Sequence, residues 1–163
     1  MIIDDAKGVL KELRAAISED TRVKSKEDLK SGDIIEMEMD ANDGLILNDG
    51  YDTRRKFVVI IGRNTKGDLY GAFLINSEID FTKQNPEMMP YQYPMLQKDY
   101  PEILEYDSWL DCTDLFDLKR RKIIARKAMV RCRLTDNDHE KVLQLVRNSE
   151  LIEEHDKKIF GLL

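Results

Sequence analysis

The strongest pattern in this chain of 163 residues is the apolar run Phe57-Val58-Val59-Ile60-Ile61. A continuous β-branched and aromatic run of this length predicts a strand buried on both faces. Asn64-Thr65-Lys66-Gly67-Asp68 supplies a turn, with Gly67 free to take positive φ. Leu69-Tyr70-Gly71-Ala72-Phe73-Leu74-Ile75 is the returning strand, and Gly71 inside it predicts a bulge or a close backbone approach. Residues 54–80 therefore read as a β-hairpin. Its outer ends carry Arg54, Arg55 and Lys56 on one strand and Asn76 and Ser77 on the other. Pairing brings them together at an interstrand spacing of about 5 Å.

The flanking patterns are weaker. Val9, Leu10, Leu13, Ala16 and Ile17 lie on one side of an expected N-terminal helix capped by Asp4 or Asp5. Gly32-Asp33 opens a strand in which Ile34, Glu36 and Glu38 alternate imperfectly with Ile35, Met37 and Met39. The Asn/Asp/Gly-rich stretch 40–53 predicts a loop, with a small hairpin at Leu45-Ile46-Leu47, and it leads directly to the hairpin's cationic end. Residues 81–107 hold all four prolines and four of the six tyrosines. They are expected to form an irregular cover over the core, or an aromatic surface for bases or a protein partner. Ser108 to Phe116 reads as a strand followed by a turn at Asp117. Val130, Cys132 and Leu134 alternate with Arg131 and Arg133, the former inward and the latter outward. Thr135 is an N-cap for a helix with Asp136 and Asp138 in its first turn and Val142, Leu145 and Val146 as its stripe; Leu151 to Phe160 suggests a short amphipathic tail.

Composition narrows the class. A 42% hydrophobic content supports a core for one domain over residues 1–163, with the patterns above placing a helix at 1–20, a strand-rich part at 32–134 and a helical segment at 135–163. No run approaches the ~18 apolar residues of a membrane span, and the start is unlike a signal peptide, so a soluble cytoplasmic protein is expected. Two cysteines and two histidines without ligand spacing argue against a metal site, and no cofactor motif is present. Net charge is −6, yet residues 119–134 hold eight Lys/Arg and no acid. Such a stripe can bind a phosphate backbone, or it can be a solvated face balanced by acids nearby in space.

The succession of Gly32-Asp33-Ile34-Ile35 strand, acidic loop, basic residue, valine-rich strand and hairpin continues through Lys122-Ile123-Ile124-Ala125 to Leu134-Thr135 and a closing helix. It resembles the MazF/PemK family of toxin endoribonucleases and, more loosely, type III toxin endoribonucleases of the same fold. The resemblance implies a mainly β, α+β architecture: a small, partly open SH3-like barrel with added N-terminal and C-terminal helices. It also implies metal-independent cleavage of single-stranded RNA through the substrate's 2′-hydroxyl, a homodimer, and an antitoxin protein or RNA as partner. By position the catalytic cation falls on Arg55 or Lys56 and the hydroxyl on Ser77. Tyr51, Arg54, Asn76, Arg131 and Arg133 are then the RNA-holding candidates.

The chain departs from the family pattern at both ends of the hairpin. Lys56-Phe57 stands where Arg-Pro is usual, with Arg55 one residue early, and a one-residue offset turns a strand side chain to the other face. Arg55 and Lys56 cannot both enter one site. Asn76-Ser77 replaces a Thr-Ser pair, so whichever faces the site decides whether a hydroxyl is present. The alternative reading is a non-catalytic protein-interaction module on the same barrel, using the Pro/Tyr stretch.

Overall fold

The computed structural model describes residues 29–40, 53–77 and 85–163. The expected N-terminal helix, the Leu45–Leu47 hairpin and Tyr51 lie outside them. Six strands form one antiparallel sheet curled into a half-barrel: β1 (Asp33–Asp40), β2 (Thr53–Arg63), β3 (Leu69–Asn76), β4 (Gln92–Met95), β5 (Ser108–Lys119) and β6 (Met129–Arg133). Their order across the sheet is β4-β5-β3-β2-β1-β6. Among the described residues three helices accompany them: α1 (Arg120–Ala125), α2 (Asp136–Asn148) and α3 (Glu154–Ile159).

The central hairpin is the middle of this sheet. Val58, Val59, Ile60 and Ile61 are all buried, because successive side chains enter two different cores. Val59, Ile61, Phe73 and Ile75 join Val142 and Val146 of α2 on one face. Val58, Ile60, Ala72 and Leu74 join Ile35, Met37 and Ile123 of α1 on the other. Each such side chain contributes on the order of 1.5–3 kcal/mol of burial. The expectation of a close approach at Gly71 holds, because the Phe160 ring lies on it, whereas the bulge falls across the ladder in β2, where the register shifts between Ile60 and Gly62. A Cβ at Gly62 would meet the Phe160 carbonyl at 2.3 Å. The C-terminal segment thus seats on the hairpin where only hydrogen atoms fit.

Thr135 caps α2, its hydroxyl accepting from Asp138 N at 3.2 Å. Beyond α2, buried Lys157 donates to the Arg147 and Ser149 carbonyls at 3.0 and 2.7 Å. A cation there meets both unpaired acceptors and the negative end of the helix.

Two expectations are corrected. β5 continues through Asp117 to Lys119, because Leu69, Tyr70 and Gly71 still offer partners to Lys119, Leu118 and Asp117. Alternation hides Leu118 and exposes its charged neighbours, so the ladder overrides the local turn signal. The Pro/Tyr stretch is not wholly irregular: it contains a one-turn 3-10 helix at Met89–Tyr91 and the edge strand β4. Pro94 is tolerated there because an edge strand leaves one side of its ladder unpaired. The stretch does serve as a cover. Tyr93 and Tyr100 donate to the two carboxylate oxygens of Asp138, each at 2.5 Å, and Met95 is fully buried. Burial, then Asp138, raises both phenols, Tyr100 to about 12.

Candidate functional site

Strand register decides which hairpin-end groups meet. Lys56 lies across from Met37, and Val58 across from Leu74, which places Lys56 and Asn76 side by side on the face of α1. Lys56 Nζ donates to Asn76 Oδ1 at 2.8 Å. Arg55, one residue earlier, takes the other face and pairs with Glu36. Arg54 shares the face of Lys56 and remains exposed. The offset between Arg55 and Lys56 therefore resolves in favour of Lys56 as the inward cation.

Burial makes Lys56 unusual. It is only 8% exposed. Loss of hydration, reinforced by the Arg54 charge and partly offset by Asp111, lowers its ammonium from 10.5 to about 8. An amine at that value holds both protonation states in useful amounts near neutral pH, as a proton-transfer group requires.

Asp111 and Gln92 extend the polar row. Asp111 stands opposite Leu74 in β5, and Gln92 of β4 stands opposite Asp111. The Gln92 amide donates to Asp111 Oδ1 at 3.0 Å, and the same oxygen accepts from Thr113 N and Oγ1. Gln92 is 6% exposed and its Oε1 has no hydrogen-bond partner. A buried unpaired acceptor costs about 1–3 kcal/mol, so this end of the sheet retains polar capacity that the fold does not use.

Ser77 behaves differently from Asn76. Two residues after Ile75, it takes the other side of the strand and does not bond Lys56. A cleft of about 350 Å³ lies at this end of the hairpin, bordered by Arg54, Arg55, Lys56, Phe57, Ser77 and Tyr106 among others. Arg131 lies 3.8 Å from Glu36, and Arg133 pairs with Asp33 at 2.7 Å. Tyr51 is outside the described residues. The structure thus brings Arg54, Lys56 and Asn76 together, sets Ser77 at the cleft's rim, and engages Arg55, Arg131 and Arg133 with β1 acids.

A second cleft of about 400 Å³ is lined by Ser31 and His139. Ser31 Oγ lies 2.7 Å from the Ile61 carbonyl, which can only accept, and 2.8 Å from His139 Nε2. The serine proton goes to the carbonyl, so His139 donates to Ser31 and cannot withdraw its proton. This pair clasps α2 to the sheet and is not an activated nucleophile. Among the described residues, no three His, Cys, Asp or Glu side chains converge as a metal site, and no helix is long and apolar enough to cross a membrane. No protein-family model and no curated protein matches the chain.

Proposed function

We propose that the protein is a metal-independent endoribonuclease of the MazF/PemK type, acting on single-stranded RNA from the Lys56 end of the central hairpin. The observation that carries the reading is Lys56 itself: buried, held by Asn76, and lowered to about 8. The neutral amine takes the proton of the substrate's 2′-hydroxyl, and the 2′-oxygen attacks the adjacent phosphorus. The bond to the 5′-oxygen breaks, that oxygen takes up a proton from the lysine ammonium, and a 2′,3′-cyclic phosphate remains. Arg54 is placed to neutralise charge on the non-bridging oxygens, and Asn76 holds the amine in position. Because the nucleophile belongs to the substrate, the serine hydroxyl at the rim is not required. The half-barrel sheet agrees with an SH3-like barrel of this type, working in the cytoplasm as a homodimer under control of an antitoxin.

Purified protein incubated with single-stranded RNA in EDTA should yield fragments with cyclic phosphate ends. Lys56→Met should abolish them, and Ser77→Ala should leave them. Intact RNA with the wild-type protein, or equal cleavage by Lys56→Met, overturns the reading.

A non-catalytic interaction module is the second reading. It is favoured by Met88, Met89, Leu96 and Tyr106, all at least 36% exposed on the Pro/Tyr stretch. Tyr93 and Met95, by contrast, are committed inward. A partner lost on replacing Met88, Met89 and Leu96 by serine, with no RNA cleavage, would establish it.

A further inference from the structure

Folding divides the eight cations of residues 119–134 into two groups. Three of the four later ones are taken up by β1, and the fourth, Lys127, is exposed. Arg126 donates to Asp40 at 3.0 Å and to the Glu38 carbonyl, Arg131 approaches Glu36, and Arg133 holds Asp33. The earlier ones, Lys119 to Lys122, gather at the start of α1 beside the turn of the central hairpin, where Arg120 N donates to the Asp68 carbonyl at 2.9 Å.

Little offsets Lys119 and Arg121 in this second group. Neither Lys119 nor Arg121 has a side-chain hydrogen bond or ion pair among the described residues, and both are exposed. Arg120 Nε is buried with no partner. Two clefts of about 520 and 540 Å³ share Lys119 and Arg121 as walls. Asp68 and Asp117 stand on their rims, the former bonded to Asn64. Lys66, on the turn, adds a further positive charge and lowers the Asp68 carboxyl, after the Asn64 hydrogen bond. Cations held this close make a local positive potential that attracts anions.

We infer that this surface binds the phosphodiester backbone of a single nucleic-acid strand. α1 has six residues, too short to fill a duplex major groove, and what the surface offers is Lys and Arg heads over open clefts. That inventory positions a backbone and reads no base. It lies at the far end of the hairpin from Lys56, roughly 25 Å away at ~3.3 Å per residue. The choice of RNA as the strand rests on the nuclease reading; the backbone site does not.

The test is fluorescence anisotropy with a short labelled single-stranded RNA of mixed sequence and the full chain carrying Lys56→Met, which prevents cleavage. Adding Lys119→Gln and Arg121→Gln should weaken binding at least about tenfold at low salt and reduce the salt slope of log K by about 0.7 per contact removed. Adding Lys98→Gln and Lys141→Gln, which remove two exposed cations elsewhere, should leave the slope unchanged. Equal loss with single-stranded DNA supports the backbone site. Unchanged affinity and slope in the Lys119/Arg121 variant overturn it, as does binding to phosphatidylserine vesicles without binding to RNA. No cleavage by the wild-type chain with this binding intact removes only the nuclease reading; cleavage by the wild-type chain, with Lys119→Gln/Arg121→Gln leaving RNA binding unchanged, removes only this inference. Thermal melting of each variant establishes that it is folded.

Discussion

Among the described residues two lysines are buried, Lys56 and Lys157, and they differ in what surrounds the ammonium. Lys157, 5% exposed, places two of its three donors on carbonyls at the end of α2. Lys56, 8% exposed, has one amide oxygen and a neighbouring arginine. Burial is nearly the same, and what differs is the set of acceptors around the ammonium. Lys157 completes a helix end, whereas Lys56 is held with its charge only partly compensated.

The sharpest way to break the comparison is to remove each ammonium in turn. Lys56→Met should lower RNA cleavage by at least about 100-fold, the usual contribution of a proton-transfer group, with the urea midpoint unchanged or raised. Lys157→Met should do the reverse, costing about 2–3 kcal/mol in urea denaturation while folded protein still cleaves. Equal effects of the two substitutions on cleavage would erase the distinction.

Next comes the seat of the C-terminal segment that carries Lys157. Gly62→Ala drives a methyl into the Phe160 carbonyl and should cost roughly 1–3 kcal/mol by chemical denaturation. Gly71→Ala, where the contact at 3.0 Å is with the Phe160 ring, should cost less. Neither should move the pH profile of cleavage, since the Lys56 end is not touched.

The pH dependence of stability separates Lys56 from the tyrosine clamp. Below pH 8 both folded and unfolded chains protonate Lys56, and the cost of burying its charge is fully present. Between about 8 and 10.5 the unfolded chain binds more protons there, so the Lys56 contribution to stability rises with pH. Tyr100, raised to about 12, acts oppositely above pH 10, where the unfolded phenol ionises first and stability falls. From pH 8 to 10 wild type should therefore gain roughly 1–3 kcal/mol of stability relative to Lys56→Met, over a fall common to both proteins from the Cys112 and Cys132 thiols, which burial pushes up.

The smallest effects are in the surroundings of Lys56. Arg54→Gln should raise the apparent pKa of the cleavage profile and Asp111→Asn should lower it, each by less than about one unit. Shifts of the same sign would contradict the assigned geometry.

Much of the framework was legible because its signals are local. The run Val58 to Ile61 announces a strand with two buried faces, Thr135 announces its helix, and Gly71 announces the approach of Phe160. The meeting of Lys56 with Asn76 follows from hairpin pairing. Asp111 and Gln92 were not legible as a pair. Gln92 sits among prolines whose turn chemistry masks β4, and its register with Asp111 is set by a pairing across nineteen residues. The division of the basic stripe was equally hidden. The acids that take up Arg126, Arg131 and Arg133 lie on β1, and only the β1–β6 pairing and the return from α1 bring them near.

The most direct test is an NMR titration of the Lys56 side chain, assigned by its loss in Lys56→Met. A midpoint near 8, shifting upward in Arg54→Gln, is the expected result. A midpoint at the ordinary lysine value of about 10.4 would mean that the ammonium is solvated, and the proton-transfer role of the hairpin end would fall with it.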